Sequence, residues 1–169
     1  GGPTLANGDH FGTSVVAIGD LDGDGITDLA VGATDYDVFN RGAVFLHLMN
    51  ANGTAKSTVR LSSGLNGVPI LATNDYFGRS VAALGDVDGD GDIDVVVLVF
   101  AYRGSGSSHW VANDGNRQFH LHPIFLPASA VDMQGGKMAD VDQDGDLDLL
   151  TWSWGAGPLV PKNALFLND

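Results

Sequence analysis

The chain of 169 residues sets 8 Lys plus Arg against 21 acidic residues, for a formal charge of −13; 24 residues are Gly and none is Cys. That charge argues against neutralising nucleic-acid phosphates, and the missing thiols remove disulfide frameworks and thiolate zinc sites. Every acid is Asp, and the absence of Glu beside abundant Gly, Val, Thr and Asp disfavours long helices. The longest wholly apolar run, Val95 to Ala101, is far short of a membrane span. No leader peptide is visible, so the chain reads as mature or cytosolic.

Short strands follow one another along the chain. Ser14–Ile18 opens the first unit, and Ile26–Gly32, Ala43–Met49 and Thr58–Leu61 complete it, the last two split by the turn residues Asn50-Ala51-Asn52-Gly53. Ile93–Phe100, Ser108–Ala112 and Gln118–His122 follow, with Asn113-Asp114-Gly115-Asn116 as the turn. Leu147–Trp152 and Ala164–Leu167 come last. Phe11-Gly12-Thr13-Ser14-Val15 returns as Phe77-Gly78-Arg79-Ser80-Val81, an offset of 66. Self-similarity at such a spacing points to a repeat architecture.

The acids are clustered. DLDGDGITD (residues 20–28), DVDGDGDID (86–94) and DVDQDGDLD (140–148) all fit D-x-D-x-D-G-x-x-D. In a tight loop the side chains at positions 1, 3 and 5 can point to one centre, Gly25, Gly91 and Gly145 permit the sharp turn, and the carbonyl at position 7 faces the same point. The Asp at position 9 closes the ring. The candidate ligands are Asp20, Asp22, Asp24, Ile26 (carbonyl) and Asp28; Asp86, Asp88, Asp90, Asp92 (carbonyl) and Asp94; and Asp140, Asp142, Asp144, Asp146 (carbonyl) and Asp148. About six or seven hard oxygen donors suit Ca2+, whereas Mg2+ keeps its waters. Two carboxylates ~4 Å apart repel by ~4 kcal/mol at an effective dielectric of ~20, so each loop should fold with its ion. Three bound Ca2+ are expected. No EF-hand is present: position 12 holds Val31, Val97 and Thr151 where a Glu is needed, and strands follow instead of helices.

Phe11-Gly12, the acidic loop and Gly32-Ala33-Thr34 in unit one, Phe77-Gly78 with the second loop, and the stretches His109 to Gly115 and Leu165 to Asp169 together resemble the FG-GAP and VCBS repeat family, the blades of integrin-alpha-like β-propellers. Unit two has Leu98-Val99-Phe100 where the family has Gly-Ala-Pro, and unit three lacks Phe-Gly. The resemblance implies an all-β fold of three four-stranded antiparallel propeller-type blades, with a calcium loop between the first and second strands of each. The chain is then one repeat domain, 1–169, with units at about 8–64, 74–124 and 130–169. Three blades do not close a ring comfortably. Residues 1–7 are available to complete the last blade; otherwise the chain belongs to a larger ring, two chains combine, or an open edge takes a strand from another subunit.

No nucleophile elbow, phosphate loop, H-E-x-x-H or dinucleotide fingerprint occurs, so no enzyme is expected. His120 and His122 share a strand face and read as surface polar residues rather than ligands. Trp110 and Trp152 read as core; Trp154 is left open, since an exposed Trp can stack on sugars. Asn52-Gly53-Thr54 is an N-glycosylation acceptor pattern in a turn. The leading expectation is a calcium-binding, non-catalytic, extracellular or cell-surface structural or adhesion module. Weak calcium sites fill outside the cell, where affinities of ~10⁻⁴–10⁻³ M suffice. The alternatives are a self-assembling subunit of a surface fibre through strand addition, and a lectin-like carbohydrate binder. Partners would be further protein subunits, as homo-oligomer or filament, or an extracellular protein or glycan ligand, with no nucleic acid and no membrane span.

Overall fold

The computed structural model describes residues 2–85, 94–98, 109–113, 119–123, 133–139, 141, 148–153 and 163–166. Eleven strands are present among them, and no helix: β1 Phe11–Ala17, β2 Leu29–Ala33, β3 Ala43–Met49, β4 Ala55–Ser62, β5 Ser80–Gly85, β6 Asp94–Leu98, β7 His109–Asn113, β8 Phe119–Pro123, β9 Met133–Ala139, β10 Asp148–Ser153 and β11 Asn163–Phe166. They form two four-stranded meanders, β1-β2-β3-β4 and β5-β6-β7-β8, and a three-stranded sheet in the order β11-β10-β9. All ladders are antiparallel. The first strands of the three sheets adjoin in succession, β1 beside β5 and β5 beside β9. Each acidic segment joins the first strand of its sheet to the second.

Composition explains the first sheet. In Ala43-Val44-Phe45-Leu46-His47-Leu48 every residue is buried, the signature of a central strand covered on both faces. Val44 and Leu46 of β3, with Ala30 and Leu61, belong to a core shared with Ile18, Val68, Leu71, Phe77 and Val81, so this core joins unit one to unit two. On the opposite face Ala33, Ala43 and Phe45 cluster with Tyr36. There Phe11 meets Phe45 and His47 edge-on, with ring centroids 5.7 and 5.8 Å apart.

The Phe-Gly pair of unit two is the joint. Phe77 is fully buried, its N–H donates to the Arg41 carbonyl at 2.9 Å, and it bridges Gly42 in parallel. Gly78, at φ +85°, lies so close to unit one that a Cβ there would sit 2.4 Å from the Ala43 carbonyl oxygen. A Cβ on Gly32 would in turn meet the Gly78 carbonyl oxygen, which accepts a 2.7 Å hydrogen bond from Ser14 Oγ. The two backbones approach so closely because neither residue carries a side chain.

Strand bounds differ from the sequence reading in two instructive places. β1 starts at Phe11 rather than Ser14, and the Phe11–Ala33 pair is separated from the regular ladder at Val15 by a bulge. β2 starts at Leu29 rather than Ile26, because Ile26 donates its N–H to Asp24 inside the loop and Asp28 turns into the interior. Residues 2–10 carry no strand, and β11 is the outer strand of the third sheet. Trp154 lies outside the described residues, as do the side chains of Trp110 in β7 and Trp152 in β10.

Candidate metal centre

The first acidic loop is described throughout, and its geometry follows from its own residues. Gly25, at φ +84°, makes the reversal that position 6 requires. Asp20 then folds back over the loop, accepting the Asp24 N–H at 3.0 Å on Oδ1 and the Gly25 N–H at 2.6 Å on Oδ2. Asp28 sits at the far end, wholly buried. Its Oδ2 accepts the Leu21 N–H and its Oδ1 the Met49 N–H, each at 2.8 Å. The position-9 carboxylate thus ties the loop to the end of the third strand as well as closing its own turn.

Carboxylate oxygens of Asp20, Asp22 and Asp28 lie within 4.8 Å of one another. Asp24 is placed differently. It accepts the Ile26 N–H at 2.8 Å and is paired with the Lys56 ammonium, which also holds Asp22 Oδ2 at 2.6 Å. Lys56 sits in the bulge of the β3–β4 ladder, where Leu48 opposes Ser57 and Met49 opposes Ala55.

Burial pushes the Asp28 carboxyl above the ordinary carboxylate range, against the pull of the Met49 and Leu21 N–H groups; Asp22 pushes the same way as burial and Lys56 the opposite way. The Lys56 hydrogen bond, helped by Ile26, holds Asp24 below it. The ammonium is raised in return, chiefly by Asp22 and then by Asp24. A buried, raised carboxylate beside two exposed or half-exposed ones is the electrostatic situation a dication reverses. The donor set fits calcium: it is all hard oxygen, and a cation, the Lys56 ammonium, already rests on two of its carboxylates. Asp20, Asp22, Asp24, Asp28 and the Ile26 carbonyl would hold the ion, which would supply charge neutralisation there.

In the other two loops the described residues are the closing Asp94 and Asp148, with Val141 in the third. Asp94 and Asp148 are both wholly buried, like Asp28. Asp148 Oδ2 accepts the Val141 N–H at 2.7 Å, the counterpart of the Leu21 bond to Asp28. Asp86, Asp88, Asp90 and Asp92, and Asp140, Asp142, Asp144 and Asp146, lie outside the described residues. His120 and His122 are exposed on β8. Asn52 is exposed in the β3–β4 turn, its Oδ1 accepting from Thr54 N–H at 3.0 Å and Thr54 Oγ1 at 2.7 Å.

Sequence reasoning passed over a second repeated feature, four residues long, ahead of the Phe-Gly pair. Asp9 accepts the Ala6 N–H and Asp75 the Ala72 N–H, each at 2.7 Å, and both are buried. The residue that follows each, His10 and Tyr76, takes a left-handed φ of +49° and +52°. Extending the 66-residue offset two positions upstream of Phe11 would have found the pair. Nothing in the local sequence marked Lys56.

A chain of repeated antiparallel meanders, each with an Asp-rich segment between its first two strands, is a β-sheet repeat protein. Residues 11–47 match the FG-GAP repeat and residues 86–151 the FG-GAP-like repeat. The chain carries FG-GAP-type repeats over these two stretches. It is 38% identical over 82 residues to integrin alpha-4 of Xenopus laevis, an alignment that covers 48% of this chain and 7% of that protein's length. No helix among the described residues is long and apolar enough to cross a membrane.

Proposed function

We propose that this chain is a calcium-binding, non-catalytic module of an extracellular or cell-surface protein, with its sheets as propeller-type blades and a structural or adhesive role. The observation that carries the reading is the convergence of Asp20, Asp22 and Asp28 on one point, with the closing Asp buried in all three loops. The ion would screen charges whose mutual repulsion otherwise opposes the folded loop, so binding and folding are linked. Three loops would take about three Ca2+ and bring the formal charge from −13 to about −7. The likeness to an integrin alpha chain supports the location and the protein-ligand partnership.

Thermal melts of the full chain in excess chelator and in millimolar calcium test this. A clear rise in melting temperature with calcium is expected; identical curves overturn it. The single domain of units near 8–64, 74–124 and 130–169 is part of the same proposal. In a secretory route Asn52 would be the glycan acceptor, read by intact mass of the native protein.

The alternative, a self-assembling subunit, rests on β11 as the outer strand of a three-stranded sheet beside two four-stranded ones. An open edge can accept a strand from another chain. Sedimentation in calcium that stays monomeric at high concentration rejects it. The carbohydrate-binding reading rests on Trp154, outside the described residues.

A further inference from the structure

We infer that Lys56 is a built-in counter-cation of the first acidic loop: its ammonium holds Asp22 and Asp24 in the ion-free chain and is displaced when a divalent cation enters. The inference rests on the calcium reading above and concerns how tightly this loop takes the ion.

Three observations carry it. Lys56 Nζ touches two of the loop's carboxylates at once, Asp22 Oδ2 at 2.6 Å and Asp24 Oδ2. Asp22 belongs to the cluster that a divalent ion would occupy, while Asp24, a position-5 ligand by spacing, is turned to Lys56 instead. Finally, the reach of Lys56 is set by the backbone. It is the extra residue of a β-bulge, and bulges re-aim a side chain next to a site. Among the described residues of unit two, β7 and β8 pair through five successive positions, His109–Pro123 to Asn113–Phe119, without a bulge.

One carboxylate cannot serve the ammonium and a dication equally well. A unit positive charge at contact distance repels the incoming ion, and the Asp24 ligand must first leave its partner. Lys56 therefore lowers the calcium affinity of loop one and at the same time keeps that loop folded when calcium is scarce. The groups are exposed, so a measurable effect depends on one ammonium meeting two carboxylates of the loop at once, where a single exposed pair would contribute little.

Calcium titration of the chelator-stripped full chain tests this, read by the amide resonance of Gly25, whose N–H donates to Asp20 within the loop. Wild type is compared with Lys56→Met and Lys56→Arg; Lys56→Gln replaces Lys56→Met if the latter unfolds without calcium. In Lys56→Met or Lys56→Gln the midpoint should fall by about tenfold or more, while Lys56→Arg, which keeps the charge, stays within about threefold of wild type. In chelator, the neutral variant should also melt below wild type. If Gly25 responds to calcium but the neutral variant's midpoint is unchanged or higher, the inference is overturned and the calcium reading stands. If Gly25 is silent in every protein up to about 10 mM calcium, well above the range of weak extracellular sites, both fall together.

Discussion

Asp28 shows how much one carboxylate does in this chain. It is wholly buried, and its two oxygens accept N–H groups from Leu21 within the loop and Met49 at the end of β3. Truncation would leave both donors unsatisfied in the interior, at about 1–3 kcal/mol each. Asp28→Ala should therefore destabilise the chain by about 2–6 kcal/mol even in chelator, as read by urea unfolding. His47 offers a second test at this scale. Its Nδ1 is 2.9 Å from Thr58 Oγ1, its buried Nε2 has no hydrogen bond, and it stacks on Phe45. Burial holds its pKa below the ordinary histidine value. The folded chain thus binds fewer protons here than the unfolded one, so stability is present above the unfolded value near 6.5 and is lost as pH falls through it. Denaturation midpoints at about pH 7.5 and 5.5 should converge in His47→Leu relative to wild type. Asp75 has the opposite sign. Burial raises its pKa against the Ala72 N–H, so its contribution is full below about pH 3.8 and declines as pH rises through the folded value; Asp75→Asn should remove that decline from the pH–stability curve.

At the scale of elements, the same dipeptide has two fates. Phe77 is fully buried between units one and two, whereas Phe11, its repeat equivalent, is 40% exposed. Phe77→Ala should cost about 3–5 kcal/mol by chemical denaturation, and Phe11→Ala clearly less. Gly78→Ala should fail by a different route, since its Cβ would press on the Ala43 carbonyl in a left-handed conformation. The strands themselves were readable from alternation and turn residues. Their starts were less so, because Ile26 looks like a strand residue until Asp24 captures its N–H. The core between Val44, Leu46 and Phe77 was not readable at all: each residue is apolar, but nothing local says that Phe77 packs on the preceding sheet rather than its own.

For the whole molecule the issue is charge. A chain at −13 with its acids gathered in three loops folds against its own repulsion, and calcium would relieve it. At about 10 mM ion, a site of ~10⁻⁴–10⁻³ M affinity adds about 1.4–2.7 kcal/mol. Three such sites acting on one cooperative transition would raise the melting temperature by on the order of 10 °C. Magnesium at equal concentration should do much less, because it gives up its waters reluctantly.

From sequence alone came the repeat period, the all-β class and the three acidic loops, since each of these is written in residues a few positions apart. Tertiary structure decided which Phe-Gly is sealed, that Asp28 reaches Met49, and that Lys56 meets Asp22 and Asp24. Those contacts join residues far apart in the chain, and their geometry depends on a bulge and on two glycine backbones meeting, features that no local pattern encodes.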